Sequence, residues 1–258
     1  MVVLRHCAWR IAVIVAAAVL GACASLRSTA DLPWADARQL VLVVAPDWNA
    51  HAATLRTYAR DAGEWRQHGA ALPVVIGRSG SAWGIGEHPP QPGPRKREGD
   101  GRSPAGVFAI GTAFGYAPSG QTGLSYAALQ EDDYCVDVSG SPLYNQIVSS
   151  RAVGADAVAG STEPMRRDLH ADGDPAYEFG FVVEHNPHGL AQGGSCIFVH
   201  LWKSADSATS GCTALAEPAL RELLQWLRRD DHPVFVLLPS AQYRRLQAAW
   251  HLPLIPTD

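Results

Sequence analysis

Apolar residues in this chain fall in short runs rather than long periodic stretches. Gln39–Ala45 (QLVLVVA) reads as a strand. Thr54–Arg60 and Glu64–His68 flank Asp61-Ala62-Gly63 and read as the arms of a hairpin, although residues 50–61 also fit a helix. Pro73–Ile76, Val107–Ile110, Tyr134–Val138, Phe179–Glu184, Cys196–Leu201 and Val234–Leu238 are further strand candidates, bounded by Gly, Pro and polar residues. Residues 84–106 read as loop, Pro142–Val148 as irregular, and 151–175 as loop with one helical turn near Met165. One segment has clear helical spacing. Glu217–Arg229 places Leu220, Leu223, Leu224 and Leu227 on one face, with Glu217 in its first turn and Arg228-Arg229 in its last. The pattern predicts a mainly β fold with a few helices, sandwich-like, in one domain over residues 39–258.

Composition narrows this little. Of 258 residues, 47% are apolar and 18% charged, which suits a globular chain and excludes a disordered one. Twenty-four Gly and 18 Pro agree with many turns. The formal net charge is −4, and beyond residue 22 there are 19 basic against 25 acidic side chains. No basic footprint for nucleic acid is present.

The first 22 residues carry Arg5, Arg10 and an apolar stretch, Ile11–Leu20, too short for a comfortable span, and read as an export signal. Leu20-Gly21-Ala22-Cys23 resembles the bacterial lipobox. That resemblance implies cleavage before Cys23, a lipid on Cys23 and membrane anchoring without a spanning helix. Ala24 after the cysteine points to the periplasmic face of the outer membrane. Residues 23–38 are then a tether.

Of five cysteines, Cys7 leaves with the signal and Cys23 takes the lipid. Cys135, Cys196 and Cys212 remain in an oxidising compartment, and three cannot all pair. Cys135 and Cys196 form a disulfide, worth ~3–4 kcal/mol if unstrained, or are two buried core residues. Cys212 follows a polar loop and Ser210-Gly211. A helix start just after it and a hydrogen bond to His200, delivered by the strand before the loop, would both favour its thiolate. Nucleophile, base and Gly-rich backbone together are the parts of thioester-based acyl transfer. A zinc site from His185, His188, Cys196, His200 and Cys212 is disfavoured, because no ligand pair has the usual spacing. No metal or cofactor is expected. His185 and Asn186 read as a solvated loop, or else as the rim of the site. Arg95-Lys96-Arg97 reads as a solvated run, with contact to an anionic glycan or stem carboxylate as the other reading. Trp202 belongs near the cleft.

His200 followed by Thr209-Ser210-Gly211-Cys212 resembles the catalytic motif of the YkuD-type L,D-transpeptidases. Lys96–Phe108, with Ser103-Pro104-Ala105-Gly106-Val107-Phe108 at its end, is similar to that family's Thr-Pro-x-Gly-x-Phe element. The resemblance covers roughly residues 72–238 and implies peptidoglycan stem peptides as partners and a role in cell wall biogenesis and cell shape. It makes Cys212 the nucleophile, His200 its base, and the N–H groups of Cys212, Gly211 and Ser210 the oxyanion hole, with Thr209 in support. Thr213-Ala214 stand where better-known members carry Ile-Arg, Leu201 follows the His in place of Gly, and Ser210 replaces a His. These departures mark a divergent branch. They leave two other outcomes beside transfer: hydrolysis of the same bond by a carboxypeptidase or amidase, and a non-catalytic wall-binding lipoprotein.

Overall fold

The computed structural model describes residues 32–255. The expected signal, Cys7 and the lipid site at Cys23 lie outside the described residues. In chain order the strands are β1 (Gln39–Ala45), β2 (Ala52–Asp61), β3 (Glu64–Val75), β4 (Ser81–Trp83), β5 (Ser103–Gly115), β6 (Tyr126–Ala128) and β7 (Asp133–Cys135). They continue as β8 (Ile147–Ser149), β9 (Glu163–Pro164), β10 (Phe179–Val183), β11 (Phe198–Leu201), β12 (Thr213–Leu215) and β13 (Val234–Pro239). The helices are α1 (Ser150–Val153), α2 (Arg167–His170), α3 (Glu217–Trp226) and α4 (Ser240–Leu246). The chain is mostly β, as its pattern predicts.

The main sheet runs β10-β11-β12-β3-β2-β1-β13-β5, and β5 pairs again with β10, so the path closes on itself like a barrel. Closure removes most of the exposed strand edges. The core packs on both faces of this sheet, with Leu40 and Leu42 on one side and Phe108, Phe235 and Leu237 on the other, and Phe181, Val199 and Leu215 in the same cluster. β1 is buried on both faces, which is why it reads as an unbroken apolar run. A three-stranded patch, β8-β7-β9, lies beside the main sheet. Between the two, Phe114, Met165, Tyr177, Cys196, Phe198 and Cys212 form a second, smaller core.

Within residues 50–61 the chain forms the strand β2 (Ala52–Asp61), not the helix their composition also allowed. Ala62 and Gly63 have φ of 49° and 88°, the left-handed pair of a tight hairpin that sets Asp61 against Glu64. β3 joins the two runs expected around residues 64–68 and 73–76. Pro73 is tolerated because β3 meets its second neighbour, β12, only at Val75. The α3 helix stops at Trp226, three residues before the periodic pattern does. The side chain of Gln39 takes over there: its Nε2 donates to Trp226 O at 2.9 Å and its Oε1 accepts Arg228 N–H at 2.7 Å. Arg228 and Arg229 therefore lie beyond the helix. Cys196–Leu201 begins as strand only at Phe198, because Cys196 has a φ of 56°.

The stretch expected as a tether to residue 38 is packed from its first described residue. Leu32, Trp34 and Ala37 are buried, Trp34 Nε1 donates to Trp250 O at 3.3 Å, and Arg60 Nη1 donates to Ala35 O at 2.5 Å. The folded domain thus includes Leu32–Arg38.

Candidate active site

β11 and β12 lie side by side and parallel, with Val199 opposite Thr213 and His200 opposite Ala214. Parallel neighbours need a connection that returns to the same end of the sheet. Residues 202–212 make that return without a helix. The loop is tied to the end of β3: Thr209 N–H donates to Ile76 O at 3.0 Å, and Arg78 N–H donates to Thr209 O at 2.8 Å. Cys212 and His200 are thereby delivered to one cleft of about 680 Å³. Thr209, Ser210, Gly211, Trp202 and Cys196 line it too, so the structure gathers the expected site residues in one place.

The turn before Cys212 is pinned from two sides. Thr209 Oγ1 donates to the Cys212 carbonyl at 2.6 Å and accepts Gly211 N–H at 3.1 Å. Ser103 Oγ, fully buried on β5, donates to the same carbonyl at 3.0 Å and accepts Gly77 N–H at 2.9 Å. This is how the 96–108 segment reaches the site. Because Gly211 N–H is committed to Thr209, of the three expected oxyanion donors only those of Ser210 and Cys212 carry no hydrogen bond among the described residues.

Two expectations about the thiol are corrected. Cys212 leads into β12, and α3 begins only at Glu217, so no helix start lies beside the sulfur. The sulfur's partners are backbone groups: Phe198 N–H donates to Sγ at 3.3 Å, and Sγ donates to Cys196 O at 3.4 Å. Burial pushes the thiol up to about 12, and the nearby Glu163 carboxylate adds to the rise. Burial pulls His200 down to about 4. Its Nδ1 lies 2.7 Å from Leu201 O. A carbonyl only accepts, so Nδ1 carries the proton and Nε2 is the basic atom. The resting pair is a neutral thiol with a neutral imidazole.

Behind His200 stands a polar wall without a sequence signature. The Tyr177 ring meets the His200 ring edge-on, with centroids 5.2 Å apart. Tyr177 O–H donates to Glu163 Oε1 at 2.8 Å. Arg167 bridges Glu163 (3.3 Å) and Asp174 (2.9 Å), and Lys203 approaches Asp174 at 3.4 Å. Burial raises Glu163, opposed by Tyr177 and Arg167. Burial also works to raise Asp174, but Arg167, Ala176 N–H and Lys203 together hold it below the usual carboxylate range. Only a tyrosine next to an apolar strand, at Tyr177-Glu178-Phe179, hinted at this wall in the sequence.

Cys135 and Cys196 are disulfide-bonded, which takes Cys196 out of any metal-ligand set. His185 and Asn186 are neither solvated nor at the cleft rim. Both are buried, with Ile85 N–H donating to His185 Nδ1 at 3.2 Å and Asn186 Nδ2 donating to Leu190 O and Gly194 O at 2.9 and 3.1 Å. Their role is to shape the loop that leads to Cys196. Lys96 is not a solvated side chain either. It is 3% exposed, donates to Asp100 Oδ1 and Arg97 O at 2.6 Å each, and lines the cleft.

The sequence profile of the L,D-transpeptidase catalytic domain (YkuD) matches residues 49–236, and the chain belongs to that family. No curated protein matches the chain. Two solved structures of the helical cell shape determining protein Pgp2 from Campylobacter jejuni are similar to it. The first, a point mutant, is 15% identical with a TM-score of 0.38, covering 79% of this chain and 48% of that one. The second is 15% identical with a TM-score of 0.36, covering 78% and 48%. This chain spans about half the length of the structures it matches.

Proposed function

We propose that this member of the L,D-transpeptidase catalytic-domain family is an exported cysteine acyltransferase acting on peptidoglycan stem peptides, with Cys212 as nucleophile and His200 as base. One observation carries this reading: His200 on β11 and Cys212, immediately before the adjacent parallel strand β12, meet in a single cleft, and the carbonyl of Cys212 is held by Thr209 and Ser103.

In the proposed cycle, His200 Nε2 takes the thiol proton as Sγ attacks the carbonyl at the L-centre of the third stem residue. The N–H groups of Cys212 and Ser210 hold the developing oxyanion. Collapse breaks the bond to D-Ala, whose amine takes the proton from the imidazolium, and a thioester remains on Cys212. An amine or water then attacks the thioester and gives its proton to His200, the C–S bond breaks, and the imidazolium returns that proton to the departing thiolate. Because both groups rest neutral, charge separation is confined to the time when substrate has displaced water from the cleft. Export by residues 1–22 and a lipid on Cys23 would place this chemistry beside the wall, on the periplasmic face of the outer membrane.

One observation favours the wall-binding reading instead: a thiol pushed up to about 12 is inert at rest. The test is incubation of the protein and its Cys212→Ala variant with disaccharide-tetrapeptide, recording intact mass and products. The expected result is an adduct on the wild type alone, with D-Ala released. Exchanged or cross-linked peptides then mean transfer, and tripeptide alone means hydrolysis. With no adduct and no product, the wall-binding reading stands.

A further inference from the structure

The two groups that touch the Cys212 sulfur, Cys196 O and Phe198 N–H, belong to one short stretch at the entrance of β11. That stretch does not hold itself in place. Cys196 has a φ of 56°, a left-handed conformation that a side-chain-bearing residue adopts only when its surroundings impose it. Two bonds impose it here. One is the disulfide from Cys196 to Cys135 at the end of β7. The other is the hydrogen bond from Cys196 N–H to Asn145 Oδ1 at 2.8 Å. Asn145 is itself anchored, with Nδ2 donating to His185 O at 2.7 Å and Asn186 O at 2.9 Å, and N–H donating to Val136 O at 2.8 Å. Cys135 and Asn145 belong to the same antiparallel unit, in which Cys135 pairs with Ile147.

We propose that the Cys135–Cys196 disulfide and Asn145 are positioning groups for the nucleophile, holding the Cys196 carbonyl and the Phe198 N–H against the Cys212 sulfur. The bond then does more than staple β7 to the entrance of β11: it sets the reactivity of a third cysteine that it does not include. Cys196 O, as acceptor, favours the protonated thiol, and Phe198 N–H, as donor, favours the thiolate. Holding both fixes where the sulfur sits and keeps it sheltered until substrate arrives. The proposal concerns the same site as the proposed function, but it makes its own claim about the thiol, which holds whatever the acyl acceptor is.

The test uses the full chain and a small electrophile, iodoacetamide, with modification read at Cys212 by peptide mass spectrometry from about pH 6 to about pH 10. The variants are the double substitution Cys135→Ser with Cys196→Ser, the single substitution Asn145→Ala, and Leu223→Ala in α3 as a control that destabilises the main core but leaves both bonds to Cys196 in place. Urea unfolding checks that each is folded. In the double variant and in Asn145→Ala, the alkylation profile is expected to move about one pH unit or more toward an ordinary thiol, with a roughly tenfold faster reaction near neutral pH. The Leu223→Ala profile stays with the wild type. If the folded double variant follows the wild-type profile, or if Leu223→Ala shifts as far as the others, the proposal is overturned. Should the double variant fail to fold, Asn145→Ala decides on the same outcomes. None of these readouts needs turnover, so an absent acyl-enzyme leaves this test intact.

Discussion

Thr209 Oγ1 donates to the carbonyl oxygen of Cys212 at 2.6 Å, so the side chain three residues before the proposed nucleophile closes the turn that presents it. Thr209 Oγ1 also accepts Gly211 N–H at 3.1 Å. Thr209→Val keeps the shape and removes both bonds, leaving Gly211 N–H without a partner. We expect a stability loss of ~1–3 kcal/mol and a slowing of D-Ala release by about tenfold or more, because the turn no longer fixes the attack geometry. Thr209→Ser should recover most of both. Urea unfolding and product chromatography check this, and a folded Val variant with the wild-type rate removes Thr209 from the positioning of Cys212.

Gly77 lies outside the chemistry but against the segment that supports it. A Cβ there would sit 2.4 Å from Gly101 O and 2.7 Å from Ser103 N, both backbone atoms that cannot swing away. Gly77→Ala must part β3 from residues 101–103 and break the bond from Gly77 N–H to Ser103 Oγ. The expected cost is about 3 kcal/mol, or a thermal midpoint lower by roughly 6–12 °C. Loss of the acyl-enzyme should accompany it even at temperatures where the variant is folded. Differential scanning calorimetry and intact-mass measurement decide.

The parts of the site legible in the sequence were those set by local order along the chain. His200, the polar loop and Thr209–Cys212 are neighbours in sequence, and the short run of β11 identifies the strand that carries His200. The strands read well where they are buried on both faces, as in β1, or closed by a tight turn, as between β2 and β3. What escaped were long-range effects on local signals. The α3 helix ends where Gln39, 187 positions away from Trp226, caps it. Lys96 belongs to a charged run, but folding buries it against Asp100. The Glu163–Arg167–Asp174 wall lies in a loop-rich stretch with no periodicity, so only its packing behind Tyr177 and His200 discloses it. The thiol's environment escaped for the same reason: burial, a property of the whole fold, pushes the thiol up, and neither the helix start nor the imidazole hydrogen bond expected beside it is present among the described residues.

Asp174 has two basic partners in different surroundings, and they should behave differently. Its side chain is 6% exposed; Arg167 is 25% exposed and Lys203 68%. Asp174→Asn leaves Arg167 half-paired in a partly dry wall and should cost about 2 kcal/mol, below the range for a fully buried pair. Lys203→Ala removes a solvated partner and should cost less than about 0.5 kcal/mol. Equal losses in urea unfolding would contradict this account of the wall.

His185 and His200 are both folded as neutral rings, each pulled down to about 4 by loss of hydration. The unfolded chain takes up a proton at each near pH 6.5, and the folded chain refuses both until about pH 4. Stability from these two groups is therefore fully present above about pH 6.5 and falls as pH drops through that window, by roughly 3 kcal/mol per histidine. Cys212 acts at the other end. Its thiol is pushed up to about 12, so the unfolded chain ionises first and stability falls as pH rises above about 9. Glu87 and Glu184 are raised by burial, and their contributions run the other way in acid, present at low pH and lost as pH rises. The acid limb of the wild type alone therefore mixes two signs. Comparison with His200→Gln isolates one group: the stability of wild type minus variant should shrink by roughly 2–3 kcal/mol between about pH 7.5 and about pH 4.5. Urea unfolding at several pH values measures that difference. A difference that stays flat across the window would mean that His200 titrates normally, and the neutral resting imidazole would have to be abandoned.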